Sequence, residues 1–343
     1  VAPLKTMLET DLAWSSTDFG FFTGGYSFLN VFFLMLIWGG LILDRFGIRF
    51  TGKLATILMV GGTALEYYAM TGLAGADATL FGINEIFGYK TGVFVAFAGY
   101  SIFGVGAEVA GITVSKIIAK WFKGKELATA MGVQVALARI GSQAGYAVAI
   151  PLARAFGIST PVLLGLVLLL GGMIAFFIFA VMDKKLDKQM EAAAIAAGTE
   201  DEEEKFSFKD VKNILVNPGF WLIALLCVLF YSCVFPFQKF ASELMIIKYG
   251  INENVAGTFA GLPALGALIL TPVFGGFIDK RGKSASIMLL GSAMLICVHF
   301  IYAIPDINYW LVAIVLMIIL GIAFSLVPSA MWPAVAKICL LYT

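Results

Sequence analysis

Arg139 lies near the middle of an apolar stretch, Val133-Gln134-Val135-Ala136-Leu137-Ala138-Arg139-Ile140-Gly141-Ser142, and no other formal charge occurs from Ala128 to Ala153. An arginine at bilayer depth costs about 2.5–3.5 kcal/mol on insertion scales. A chain keeps one where it faces a bundle interior or a wet cavity and meets an anion. Glu108 is the natural counter-charge, being the only carboxylate between Glu85 and Glu126. The pair suits a zwitterionic solute: the planar fork of arginine grips a carboxylate, and glutamate accepts from an ammonium. A permanent Glu108–Arg139 bridge between two helices is the structural alternative. Buried pairs contribute little stability, because desolvation cancels much of their attraction, and ionisable groups within a membrane are functional by default.

Helical spacing groups further polar residues. Arg139, Ser142, Gln143 and Tyr146 form one stripe in an otherwise apolar helix. Ser101, Gly104, Glu108, Gly111 and Ser115 form another, in which Gly104 and Gly111 fit close helix packing. Thr23, Tyr26 and Asn30 share a face, as do Tyr231 with Gln238, and Ser325 with Ser329 and Trp332. Each of these last groups either touches solute or satisfies a neighbouring backbone group. The single histidine, His299, suits a structural role, so no histidine proton relay is expected.

The elements that carry these residues are membrane helices. Hydrophobic residues make up 60% of the 343, against about 45–50% in soluble domains, and charged residues only 13%. Mean hydropathy is +0.94. Nine apolar spans are expected, at about 20–43, 53–72, 92–119, 127–151, 159–182, 219–247, 253–278, 284–303 and 309–336. The loops between them alternate in charge. One set holds 17 Lys and Arg and the other five, which puts the 43–53, 183–218 and 279–283 segments in the cytoplasm. No basic face for nucleic acid and no Gly-x4-Gly-Lys-Ser/Thr loop for a nucleotide occur, and Gly104-Val105-Gly106 falls inside a span. Cys227, Cys233, Cys297 and Cys339 have no metal-ligand spacing, so neither metal nor cofactor is expected. The exterior loops lack an Asn-x-Ser/Thr sequon, which favours a bacterial cytoplasmic membrane over a lysosomal one.

The spans divide into an N-terminal bundle (1–182) and a C-terminal bundle (219–343), joined by a polar segment at 183–218. That segment carries the acidic run Glu200–Glu204, then Phe208, Val211, Ile214 and Leu215 at helical spacing behind Ser207. A short amphipathic helix on the inner face is expected there. A repeat links the bundles. Gly40, Asp44, Arg45 and Gly47 in the first, followed by Arg49, match Gly275, Asp279, Lys280 and Gly282 in the second, with Gly four before Asp, a cation directly after it and Gly three after it. Two copies at matched positions speak for a repeated transporter architecture, with the solute site between the halves near the midplane.

The repeated turns resemble the cytoplasmic signature of the major facilitator superfamily. A narrower resemblance, to the major facilitator superfamily domain-containing protein 1 family, rests on Gly104-Val-Gly106-Ala-Glu108, Trp121-Phe122-Lys123-Gly124-Lys125-Glu126-Leu127, Gly132-Val-Gln134 and Ala138-Arg139-Ile140-Gly141-Ser142. Val234-Phe235-Pro236-Phe237, Pro272-Val273-Phe274-Gly275 and Trp332-Pro333 add to it. On the family's numbering the nine spans are helices 2 to 10, and the chain is expected to be a truncated member lacking helices 1, 11 and 12. The resemblance implies an all-α major facilitator fold of two pseudo-symmetric bundles working by alternating access. It also implies dipeptide transport, with Glu108 and Arg139 matching the family's substrate-binding charges. The expected partners are the bilayer and a small zwitterion. Two rival functions stay open: a proton-coupled transporter of small organic or inorganic anions, and a non-transporting receptor on a transporter fold.

Overall fold

Apolar segments of this length must satisfy their backbone internally, so they coil into helices. The computed structural model describes residues 2–74, 79–122, 127–197 and 216–342, without the side chains of 127–129, 131, 190–197, 279 and 335–342. A 3-10 turn (Ala2–Leu4) leads into α1 (Lys5–Asp11), α2 (Ser16–Phe32), α3 (Met35–Thr71), α4 (Thr91–Trp121), α5 (Leu127–Phe156) and α6 (Thr160–Ala197). Then follow α7 (Pro218–Ile247), α8 (Glu253–Ala260), α9 (Leu262–Arg281), α10 (Ser284–Ala303) and α11 (Trp310–Tyr342). The expected helix from Ser207 to Leu215 and the acidic run before it lie outside the described residues.

Among the described residues six helical stretches are long and apolar enough to cross a membrane, α8 and α9 counting as one, or seven if the bent pair α2 and α3 is one span. The nine expected spans do not map one to one onto helices, for two physical reasons. Span 20–43 is interrupted at Leu34, between α2 and α3, while its boundary with span 53–72 falls inside α3, where two helices meet at a kink at Gly47 with φ 75° and ψ 175°. Span 127–151 is helical throughout as α5, but Gln134, Arg139, Ser142 and Gln143 dilute its apolar character. The segment after α3 also holds a small hairpin, β1 (Glu85–Ile86) paired with β2 (Tyr89–Lys90). Phe87 and Gly88 at its turn both have positive φ, the pairing that suits a two-residue hairpin.

By contacts the described residues divide into two units, those within 3–131 and 152–197, and those within 132–151 and 216–342. In the first, α4 packs against α2 and α3, and α6 against α3. Phe19 and Phe22 of α2 and Val93 and Ala96 of α4 are fully buried there. In the second, the core joins Phe230, Val234 and Met245 of α7 to Leu295 and Val298 of α10 and to Met317, Leu320 and Phe324 of α11. Leu168 and Ile174 of α6 and Leu289, Ile296 and Phe300 of α10 are exposed, as suits helices whose surroundings are hydrocarbon.

The two repeated turns share a backbone device. Gly47 and Gly282, each three residues after the aspartate, have φ of 75° and 67°, a region where a Cβ is penalised. In the first copy Asp44 pairs with Lys116 at 2.8 Å. Arg49 reaches Asp187 at 2.6 Å and Asp183 at 3.4 Å. Lys120 binds Asp183 at 2.8 Å and also Asp187, and the Trp121 indole donates to Asp183 at 3.0 Å. Asp183 is thereby fully buried yet satisfied by three donors. Arg45 lies over the Phe46 ring in this copy and Arg281 over Phe277 in the other, while the Asp279 side chain is outside the described residues. Gly40 and Gly275 both face open space, and it is Gly39 that lets α3 approach Val109 of α4.

Candidate functional site

In the first unit the site is built where α2 crosses α4. A Cβ on Gly104 would stand 2.4 Å from the Tyr26 carbonyl oxygen, so only glycine permits this approach. One helical turn on from Gly104, Glu108 is half-buried, and the Tyr26 hydroxyl donates to its Oε1 at 2.8 Å. The Tyr26 ring is held against Tyr100 and Phe103, with centroids at 5.5 and 6.3 Å. Asn30 donates its amide to the Tyr26 carbonyl at 3.0 Å, and its Oδ1 is buried without a hydrogen-bond partner. Glu108 has no cation beside it among the described residues of its own unit. Gly111, by contrast, faces open space, so close packing is not its role.

In the second unit the site is built around Arg139 on α5. Its guanidinium lies over the Phe324 ring of α11, 4.9 Å from the centroid. Phe324 stacks on Phe230 and meets Tyr231 and Phe235 nearly edge-on, and Tyr231 and Phe235 stack at 5.1 Å. Trp332 lies against the Tyr231 hydroxyl. This arrangement holds the cation by its flat face and supplies it with no carboxylate among the described residues of its unit. One turn further along α5, Gln143 donates to the Thr258 carbonyl at 3.3 Å, leaving Oε1 buried without a partner. Tyr146 donates to the backbone carbonyl of Gln238 at 3.1 Å. Ser329 bonds the carbonyls of Ser325 and Thr271, and Ser325 that of Gly321.

The structure thus brings Tyr26, Asn30 and Glu108 together in one unit, and Arg139, Tyr231 and Trp332 together in the other. Gln143, Tyr146 and Ser329 stand near them with their hydroxyls or amides on backbone carbonyls. His299 directs Nδ1 at the Leu295 carbonyl and packs edge-on to Phe237. Sequence reasoning missed the aromatic bed of Phe230, Phe235 and Phe324. It also passed over Glu66, which is 3% exposed within α3. The signal for Phe235 was its place before Pro236 in a helix, and for Glu66 its charge inside span 53–72.

A model of the Major Facilitator Superfamily matches residues 1–339. The chain belongs to the Major Facilitator Superfamily. This major facilitator protein is 28% identical over 349 aligned residues to the lysosomal dipeptide transporter MFSD1 of Homo sapiens, as it is to that of Pongo abelii, covering 98% of this chain and 68% of each relative. The Gallus gallus protein of that name is 32% identical over 251 residues, 69% of this chain and 54% of the relative. The xylose transporter XylE from E. coli, in a partially occluded inward open conformation, aligns with a TM-score of 0.56 and 16% identity over 99% of this chain and 82% of that one, a likeness of fold. The chain is therefore a multi-pass helical membrane protein with the major facilitator fold, a transporter and not an enzyme.

Proposed function

We propose that this transporter carries dipeptides or similar small zwitterions by alternating access, with Glu108 receiving the amine and Arg139 the carboxylate. One observation carries the reading: each charge is positioned but not neutralised. Glu108 is held by the Tyr26 hydroxyl and Arg139 by the Phe324 ring, and neither has an ion-pair partner among the described residues of its unit. A charge kept out of bulk water without a counter-ion is costly, and a zwitterion offsets both charges at once. The names of the relatives, dipeptide transporters, support the same substrate class. Those relatives are lysosomal by name, whereas the absence of exterior sequons favours a bacterial membrane for this chain.

Counterflow of a labelled dipeptide into liposomes tests the proposal. Uptake is expected with the wild type and should be mostly lost in Arg139→Lys, since a point ammonium cannot make the forked contact. Normal uptake by the lysine variant removes bidentate carboxylate recognition. Uptake of simple anions in place of dipeptides favours the anion-transporter reading.

A further inference from the structure

Arg139 lies against a cluster of aromatic rings and is not an isolated charge. Phe324, against which the guanidinium lies, is 2% exposed, as is expected of a packing partner. Its neighbours differ. Phe235 is 47% exposed and Trp332 55%, although both adjoin Tyr231, which itself borders Phe324. Large aromatic faces left open beside a cation make a surface for an apolar group carried next to an anion. In a dipeptide, the side chain attached one atom from the carboxylate carbon belongs to the C-terminal residue. The N-terminal side chain is one residue further, with its Cα about 3.8 Å away. Glu108 is met by the hydroxyl of Tyr26, whose ring is held by Tyr100 and Phe103.

We infer that Phe235, Tyr231 and Trp332 form a specificity pocket for an aromatic or large apolar side chain at the C-terminal position of the substrate. The inference rests on the zwitterion reading above, because Arg139 must take the C-terminal carboxylate for the pocket to lie beside that side chain. Pro236 contributes by its place in the helix. It follows Phe235 within α7 and cannot donate to the carbonyl one turn earlier.

The test is a set of thermal-shift titrations of the purified protein with three dipeptides, Gly-Gly, Gly-Phe and Phe-Gly. The last two have the same composition, so any difference between them reports position and not hydrophobicity. Gly-Phe is expected to bind about tenfold more tightly than Phe-Gly, as suits partial burial of one ring. In Phe235→Ala the ratio of Gly-Phe to Gly-Gly affinity should fall to about one. Because Phe235 is about half exposed, this variant is expected to fold, and its melting temperature without ligand checks that directly. Equal binding of all three peptides, or tighter binding of Phe-Gly, overturns the pocket while leaving the zwitterion reading intact. No stabilisation by any of the three overturns that reading and the pocket with it.

Discussion

Tyr26 on α2 and Glu108 on α4 are joined by a 2.8 Å hydrogen bond across 82 residues of sequence. The bond exists because Gly104 lets the two helices touch backbone to side, and it aims a carboxylate that has no cation beside it among the described residues of its unit. The acceptor is thus fixed in place before a solute arrives.

The first expectation concerns that donor. Tyr26→Phe keeps the ring contacts with Tyr100 and Phe103 and removes only the hydroxyl. A hydrogen bond to a charged group is worth about 1.5–3 kcal/mol, so dipeptide affinity should fall about tenfold, with little change in melting temperature. Titration calorimetry with a dipeptide reads this directly. Unchanged affinity separates Tyr26 from the positioning of Glu108.

The first repeated turn and the α6 aspartate near it offer a contrast. Asp183 is fully buried among Lys120, Arg49 and Trp121. Asp183→Ala strands those donors and should cost about 3–5 kcal/mol. Asp44 pairs with Lys116 where both side chains are about half exposed or more, at 65% and 48%. Its stability contribution is at most about 1 kcal/mol. Asp44→Asn is therefore expected to leave the melting temperature nearly unaltered, yet to slow transport while dipeptide affinity is kept. Equal destabilisation by the two substitutions contradicts this partition.

Helix α1 should make stability depend on acid. The Lys5 ammonium donates to Glu9 at 2.8 Å and the Ser16 hydroxyl at 2.7 Å, holding the Glu9 carboxyl below its ordinary value. A carboxyl held low in the folded state contributes stability above its unfolded value and loses it as pH falls through the folded one. The melting temperature should therefore drop on acidification through and below the usual carboxylate range, and less so in Glu9→Gln. Identical pH curves for the two proteins exclude this pair as a source of the dependence.

Much of this was legible in residue types alone. Composition and alternating loop charge gave the membrane class, and the matched Gly-x3-Asp-cation-x-Gly turns gave the repeat, because each depends on local chemistry. The positive φ at Gly47 and Gly282 is the local reason those turns need glycine. What stayed hidden depends on contacts far apart in sequence. No spacing rule joins Arg49 to Asp183 and Asp187, or lays Arg139 on Phe324. Periodicity likewise put Gln143, Tyr146 and Ser329 on polar faces without revealing that backbone carbonyls occupy them.

The central claim is that two opposite charges receive the two ends of one zwitterion, and blocked dipeptides test it most directly. At about 100 times its Kd a ligand stabilises a protein by about 2.7 kcal/mol, a readily measured rise in melting temperature. A free dipeptide should produce that rise in the purified protein. Its N-acetylated form leaves Glu108 without an ammonium, and its amidated form leaves Arg139 without a carboxylate, so each should abolish most of the shift. Equal stabilisation by the free and the N-acetylated dipeptide contradicts the account and points to an anion as the solute.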